Sequence, residues 1–241
     1  MPSQRILLVI QNDESDPPHL AGKWLEEIGY ELRVIRAFAG EPIPQQIDDE
    51  ITALMPLGGH MGAMDDYVAP WLADERALLA DAIARDIPIL GICLGAQLLG
   101  IAGGGVVTRA ARGEIGIYRI EPTLDAANDP VFDIPFGTSA AQWHEDEVST
   151  LPPNATRLAQ SENCNNQIFK IGRAIYGVQF HPEADLSIVS GWESEPDNAF
   201  NSLGKKTVLP EVEAAQAELV LFWKPVIQRW GELASNVLGT N

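Results

Sequence analysis

The sequence predicts an α/β fold of three layers, a mostly parallel central sheet with helices on both faces in the flavodoxin-like manner. Short apolar runs at 6–10, 31–35, 51–57 and 87–92 alternate with helical patterns at 19–28 and 71–85, and such alternation builds βαβ units. The runs at 6–10 and 87–92 are apolar almost throughout rather than at every second residue, as strands buried on both faces are.

Taken in order, Ile6-Leu-Leu-Val-Ile10 is a strand that stops at the polar stretch 11–18. Leu20, Trp24, Leu25 and Ile28 then recur at near-helical spacing, and Gly29 stands where a helix would stop. A strand at 31–35 completes the first βαβ unit. The polar, proline-bearing stretch 40–50 is a connector, and the run at 51–57 ends in Gly58-Gly59. Leu72, Leu78, Leu79, Ala82 and Ile83 place an amphipathic helix over 71–85. The next strand, 87–92, closes on Cys93, and 96–101 can open a helix. Beyond Gly105 short β-like runs (115–120, 168–171, 174–180) predict added strands, some of them antiparallel. Helical patterns follow at 185–193 and 211–230, the second with a kink or break expected at Pro225. The whole chain, 1–241, reads as a single domain, with a core at about 5–184 and a C-terminal helical extension at 185–241.

Charge narrows the choice of partners. The 34 acidic residues against 16 basic ones give a formal charge of −18, which repels a phosphate backbone. Nucleic acid and anionic membrane are therefore not expected as partners. The first residues carry no leader pattern, and the run 6–10 is far shorter than the roughly 20 residues of a membrane span. Two cysteines in unlike surroundings, Cys93 and Cys164, do not make a disulfide framework or a four-ligand metal site. A reducing, cytoplasmic setting is expected.

Two local patterns carry chemistry. Gly91-Ile-Cys-Leu-Gly95 sets a thiol between glycines at a strand-to-helix turn, where small neighbours permit a sharp bend and the helix N-terminus favours a thiolate. Gln179-Phe-His-Pro-Glu183 follows an apolar strand. Residues two apart in extended chain face the same way, so Glu183 can orient His181 as the base that a cysteine nucleophile requires. Each pattern alone is commonplace, since a free cysteine is most often a small buried hydrophobe. Together, at strand C-termini of one α/β sheet, they mark a site.

With these residues in view, the chain resembles the class I glutamine amidotransferase family, the triad amidotransferases. The resemblance rests on Leu57-Gly-Gly-His-Met61, Pro88 to Leu99, Gly113-Glu-Ile-Gly116, Trp143-His-Glu-Asp146 and Gln179 to Glu183, five motifs in the family's order. It covers nearly the whole chain up to about Glu183 and is nearest to free-standing members similar to the amidotransferase part of GMP synthase. It implies Cys93 as nucleophile, His181 as general base and Glu183 as its orienting acid. It also implies an oxyanion hole at Gly59 and Leu94, with Gly58, Gln97, Trp143, His144 and Asp146 near the substrate.

The implied reaction opens the side-chain amide of glutamine or a related γ-glutamyl compound through a cysteinyl thioester, with no metal and no organic cofactor. No synthetase domain is expected within 184–241, so either a separate ammonia-accepting synthetase is a partner or a γ-glutamyl amide is hydrolysed for its own sake. A regulatory module without turnover, and a redox protein using the thiol, are the other classes. The stretches 11–18 and 62–66 are expected to border the pocket and tune the choice of substrate, and their acidic residues Asp13, Glu14, Asp65 and Asp66 either meet a cationic amine or are turn residues. Trp192, Trp223 and Trp230 serve either core or an interface.

Overall fold

A computed structural model of the chain describes residues 5–195 and 207–238. The leaderless amino terminus expected at residues 1–4, and the parts of the C-terminal extension at 196–206 and 239–241, lie outside these described residues. In chain order the elements are β1 (Arg5–Gln11), α1 (His19–Glu26), β2 (Tyr30–Arg36), β3 (Ile51–Pro56), α2 (Trp71–Ala84), β4 (Ile89–Ile92) and α3 (Leu94–Ala102). There follow β5 (Val106–Pro122), β6 (Thr138–Thr150), β7 (Ala155–Gln160), β8 (Ile168–Ile171), β9 (Ile175–Val178), α4 (Leu186–Ser194) and α5 (Leu209–Leu238). The strands form one sheet in the order β2-β1-β3-β4-β9-β8-β7-β5-β6. Pairing from β2 to β9 is parallel and from β9 to β6 antiparallel.

The apolar runs work as the sequence predicts, because successive residues of one strand feed opposite faces. Leu7 and Val9 of β1 pack with Trp24 and Leu25 of α1 and with Trp223, Ile227 and Trp230 of α5. Ile6, Leu8 and Ile10 pack with Leu72, Leu78 and Leu79 of α2 and Leu98 and Leu99 of α3. Each such side chain contributes about 1.5–3 kcal/mol on burial, which is why the half built on them is the half most plainly written in the sequence.

Two features differ from expectation, and a third settles on one of two alternatives. Pro225 does not interrupt α5, which runs as one helix from Leu209 to Leu238. The N–H that proline lacks would have served the carbonyl of Leu221; both residues lie on the exposed side of the helix, where a lost backbone partner costs least. The antiparallel half is larger than 115–120 suggested. β5 begins at Val106, and β6 and β7 were not marked by apolar runs, since much of β5 and β7 faces solvent. Finally, the helices after Glu183 are built into the core: Trp223 and Trp230 lie against the sheet, and Trp192 joins Ile115, Ile188 and Val189 in a separate cluster.

The register fixes where chemistry emerges. Ile92 at the end of β4 pairs with Val178 at the end of β9, so the residues that follow, Cys93 on one strand and Gln179 to His181 on the other, leave the sheet side by side.

Candidate active site

Cys93 sits between β4 and α3 at φ 50°, ψ −108°, a conformation that costs a non-glycine residue about 1–3 kcal/mol. The neighbouring glycines are there for room. A Cβ on Gly95 would lie 2.1 Å from the Pro56 carbonyl oxygen, and one on Gly91 would lie 2.8 Å from the Gly95 oxygen. The turn is held by Cys93 N–H donating to the Val178 carbonyl at 2.8 Å and by Gln97 N–H donating to the Cys93 carbonyl at 3.0 Å. The sulfur faces the Trp143 carbonyl at 3.8 Å and receives the Gln179 side-chain amide at 3.6 Å.

His181 is brought beside it by β9 and fixed by its own N–H donating to the Ala141 carbonyl at 2.8 Å. Its Nδ1 meets Glu183 Oε1 at 2.7 Å, and both side chains are buried. Nε2 is buried without a complete hydrogen bond. Burial by itself would lower the imidazole's pKa; the Glu183 carboxylate and then the Cys93 sulfur act the other way and prevail, holding it well above the ordinary histidine range. The ring of Trp192 covers the imidazole at 4.5 Å between centroids and also meets Trp143 at 5.4 Å. Thus α4, beyond the family motifs, packs directly on the base.

The wall opposite is made by β5 and β6. Gln97 Nε2 donates to the Asp146 carbonyl at 3.1 Å and to Gln179 Oε1 at 3.3 Å, so its amino group is engaged with protein while the residue lines the larger cavity. His144 also lines that cavity, with its side chain almost wholly buried and engaged with protein. Its Nδ1 lies 2.9 Å from the Asp146 carbonyl, an acceptor only, and its Nε2 lies 3.3 Å from Glu114 Oε2. Nδ1 is therefore the ring nitrogen that donates there. Glu114 is fully buried and also receives Ser161 Oγ at 2.8 Å and Gln167 Nε2 at 2.6 Å. Asp146 faces Arg109; burial raises its carboxyl above the usual range, and Arg109 partly offsets this.

Gly58 and Gly59 lie at the end of β3 where close approach excludes a side chain. A Cβ on Gly59 would stand 3.1 Å from Leu94 Cδ2 and 3.3 Å from Asn12 Cβ, and one on Gly58 would stand 2.8 Å from Asp16 Oδ1 and 3.1 Å from His181 Cε1. As first residue of α3, Leu94 has an N–H with no intrahelical acceptor. Asn12 braces this loop from behind, donating to the Leu57 carbonyl at 3.2 Å and to Glu75 at 3.3 Å. Burial pushes the Glu75 carboxyl up to about 8.

Two cavities meet at Cys93. The larger, about 310 Å³, is lined by Gly59, Leu94, Gln97, Arg109 and Asp146 among others. The smaller, about 40 Å³, is lined by Ser15, Asp16, Trp143, His181 and Trp192. Of the loop acids, Asp13 pairs with His60 and Ser15, Asp65 receives the Gly62 N–H and Asp66 pairs with Arg76, so these three are committed to local structure. Asp16, Gln179, Glu114 and Trp192 are site residues that sequence reasoning did not single out. Gln179 was accessible by the same two-residue spacing that links His181 to Glu183; Asp16 lies in the stretch 11–18 expected at the pocket border, where nothing set it apart from its acidic neighbours.

Asp16, His181 and Glu183 offer donor atoms within 4.8 Å of one another, a spacing compatible with a metal ion. The 2.7 Å contact between Nδ1 and Oε1 is shorter than the separation of about 3.3 Å between two ligands of tetrahedral zinc. Those two atoms therefore form a hydrogen bond, the arrangement that orients a base.

A thiol on a strained strand-to-helix turn thus stands near a histidine–carboxylate pair at the parallel end of this sheet. Comparison with known proteins gives the family: the family model described as glutamine amidotransferase class-I matches residues 23–190, and this chain belongs to that family. A glutamine amidotransferase-like protein, YfeJ, of Salmonella typhimurium is 35% identical over 174 residues, covering 70% of this chain and 72% of that one. A glutamine-hydrolyzing GMP synthase subunit of Pyrococcus abyssi is 43% identical over 182 residues, covering 73% and 89%. A glutamine amidotransferase crystal structure from Thermotoga maritima superposes with a TM-score of 0.83 at 28% identity, covering 95% of this chain and 99% of that one. Members of the family hydrolyse glutamine or γ-glutamyl amides. None of the described helices is long and apolar enough to cross a membrane.

Proposed function

We propose that this chain is a glutaminase-type amidotransferase in which Cys93, His181 and Glu183 cleave a γ-carboxamide through a cysteinyl thioester. The observation that carries the reading is the meeting of the Cys93 sulfur, the buried His181 ring and the Glu183 carboxylate at the C-terminal ends of β4 and β9. The Cys93 thiolate, paired with the charged His181 ring, adds to the amide carbon. The oxyanion is received by N–H groups of Gly59 and Leu94, each such donor contributing about 3 kcal/mol. His181 gives its Nε2 proton to the leaving nitrogen, the C–N bond breaks, and a γ-glutamyl thioester remains on sulfur. His181 then takes a proton from the attacking water, which releases glutamate and restores the thiolate beside the charged ring.

Gln97, Trp143 and Asp146 form the wall that holds the glutamyl end, with Gly58 giving the loop its close approach and His144 bracing the wall from behind. The reading requires neither a metal nor an organic cofactor. The relatives named as GMP synthase subunits support a separate synthetase as the acceptor of ammonia. Two free cysteines support a reducing, cytoplasmic setting, and the burial of Trp223 and Trp230 against the sheet supports treating 1–241 as one domain.

The test is ammonia release from glutamine by the purified chain, alone and with its Cys93→Ala variant. Release that disappears in a folded variant supports the reading, and release that persists refutes it.

A further inference from the structure

We propose that Asp16 and the small cavity around it form the subsite for the leaving nitrogen, which restricts this enzyme to primary γ-carboxamides and ammonia as the departing group. The proposal rests on the amidase reading above and deepens it.

The two cavities at Cys93 have different linings, and this assigns their roles. Gly59 and Cys93 border both, Leu94 and Gln97 line the larger one alone, and His181 and Asp16 line the smaller alone. The group that protonates the leaving nitrogen must lie within hydrogen-bond reach of it. Because His181 opens into the small cavity, the nitrogen departs there and the glutamyl chain occupies the large one.

Asp16 is suited to meet that nitrogen. It is 5% exposed, lines the cavity, and faces His181 across Gly58. Ser15 Oγ lies 2.8 Å from Asp13 Oδ1 and 3.2 Å from Asp16 Oδ2. A hydroxyl has one proton to give, and the shorter contact takes it to Asp13, which leaves the Asp16 oxygens as acceptors. Burial, opposed by His181 and reinforced by Glu183, pushes the Asp16 carboxyl up to about 7, so a cationic or N–H-rich neighbour stabilises its ionised form.

In the tetrahedral adduct of a primary amide the nitrogen carries two hydrogens. It gains a third from His181 Nε2 as the C–N bond breaks, leaving as neutral ammonia. Asp16 accepts a hydrogen bond from one of these hydrogens and no proton passes to it. The cavity, about 40 Å³, has room for ammonia. Ammonia, neutral and rich in N–H, suits this lining, whereas the carboxylate of an amino acid as leaving group would face Asp16.

The experiment compares kcat/KM for glutamine, γ-glutamylglycine and the γ-methyl ester of glutamate, above neutral pH, in the wild-type chain and in Asp16→Ala and Asp16→Asn. The ester has the same acyl part, but its leaving oxygen has no N–H to offer. The expected result is a wild-type preference for glutamine over γ-glutamylglycine of at least about 100-fold. Asp16→Ala should lose about 10- to 100-fold on glutamine while ester cleavage stays within about threefold. Asp16→Asn keeps the shape and an acceptor oxygen, so it guards against misfolding and should lose less on glutamine than Asp16→Ala does. Equal losses on amide and ester, no loss on either, or wild-type cleavage of γ-glutamylglycine as fast as glutamine would each overturn the subsite while leaving the Cys93 reading intact. A wild-type chain that cleaves none of the three compounds overturns the amidase reading and the subsite with it.

Discussion

Strands β4 and β9, in the parallel half of the sheet, end in Cys93 and His181, while β5 and β6, in the antiparallel half, supply Trp143, His144, Asp146 and Glu114. The parallel half positions its groups through apolar packing: the interiors of β4 and β9 are buried throughout, and the reactive residues follow where the strands stop. The antiparallel half positions its groups through a buried polar network centred on Glu114, in which Ser161, Gln167 and His144 converge on one carboxylate. The difference teaches that one half can lose a reacting group and stay folded, whereas the other ties pocket shape to stability.

The largest effects should fall on rate alone and in the parallel half. Glu183→Gln leaves the ring packed against Trp192 but removes the charge that orients and stabilises the imidazolium. Turnover of glutamine should fall about 10²- to 10⁴-fold with little change in melting temperature. An equal loss of stability would show that the pair is structural.

Next in size is the antiparallel half, where Glu114→Ala leaves His144, Ser161 and Gln167 facing a void. Breaking a buried pair costs about 3–5 kcal/mol, measurable by urea unfolding. Glu114→Gln, which keeps the shape, should raise KM more than it lowers kcat, because the Asp146 wall shifts while the thiol does not. A pure kcat effect would contradict the division of labour between the halves.

A smaller, pH-dependent effect lies between the two, at the brace behind Gly58-Gly59. The Glu75 carboxyl is raised from 4.5 to about 8 by burial, so the unfolded chain gives up this proton first as pH rises. Stability is then greatest at acid pH for this group, falls from about pH 4.5 upward, and levels off above about pH 8. Glu75→Gln should remove that slope and stabilise the protein by on the order of 2–4 kcal/mol at pH 8 relative to acid. Parallel stability curves for the two proteins would show that the carboxyl is not burdened by burial.

The same contrast explains what the sequence disclosed. Apolar runs that fill two faces, such as 6–10 and 87–92, are legible because one physical cause, burial on both sides, sets every residue in them. The Cys93 elbow and the His181–Glu183 spacing are legible because local geometry decides them. β6 and β7 were hidden because β6 buries small and polar residues rather than an apolar run and β7 is half exposed, and their pairing is decided by partners far along the chain. Pro225 misled because its cost depends on whether the orphaned carbonyl meets water. The loop after β1 was expected at the pocket, but that Asp16 within it and Trp192 on α4 meet His181 was beyond reach of pattern, because each gets there only through tertiary folding.

The most direct measurement is the site of labelling by a γ-glutamyl chloroketone, read by peptide mass mapping alongside residual glutamine turnover. The chain has two cysteines, and Cys164 is buried away from the site, where burial pushes its thiol up and keeps it protonated. One label per chain on Cys93, with turnover lost in proportion and glutamine protecting, is the outcome the triad requires. A label on Cys164, or none on Cys93 in a chain that still turns glutamine over, would contradict it.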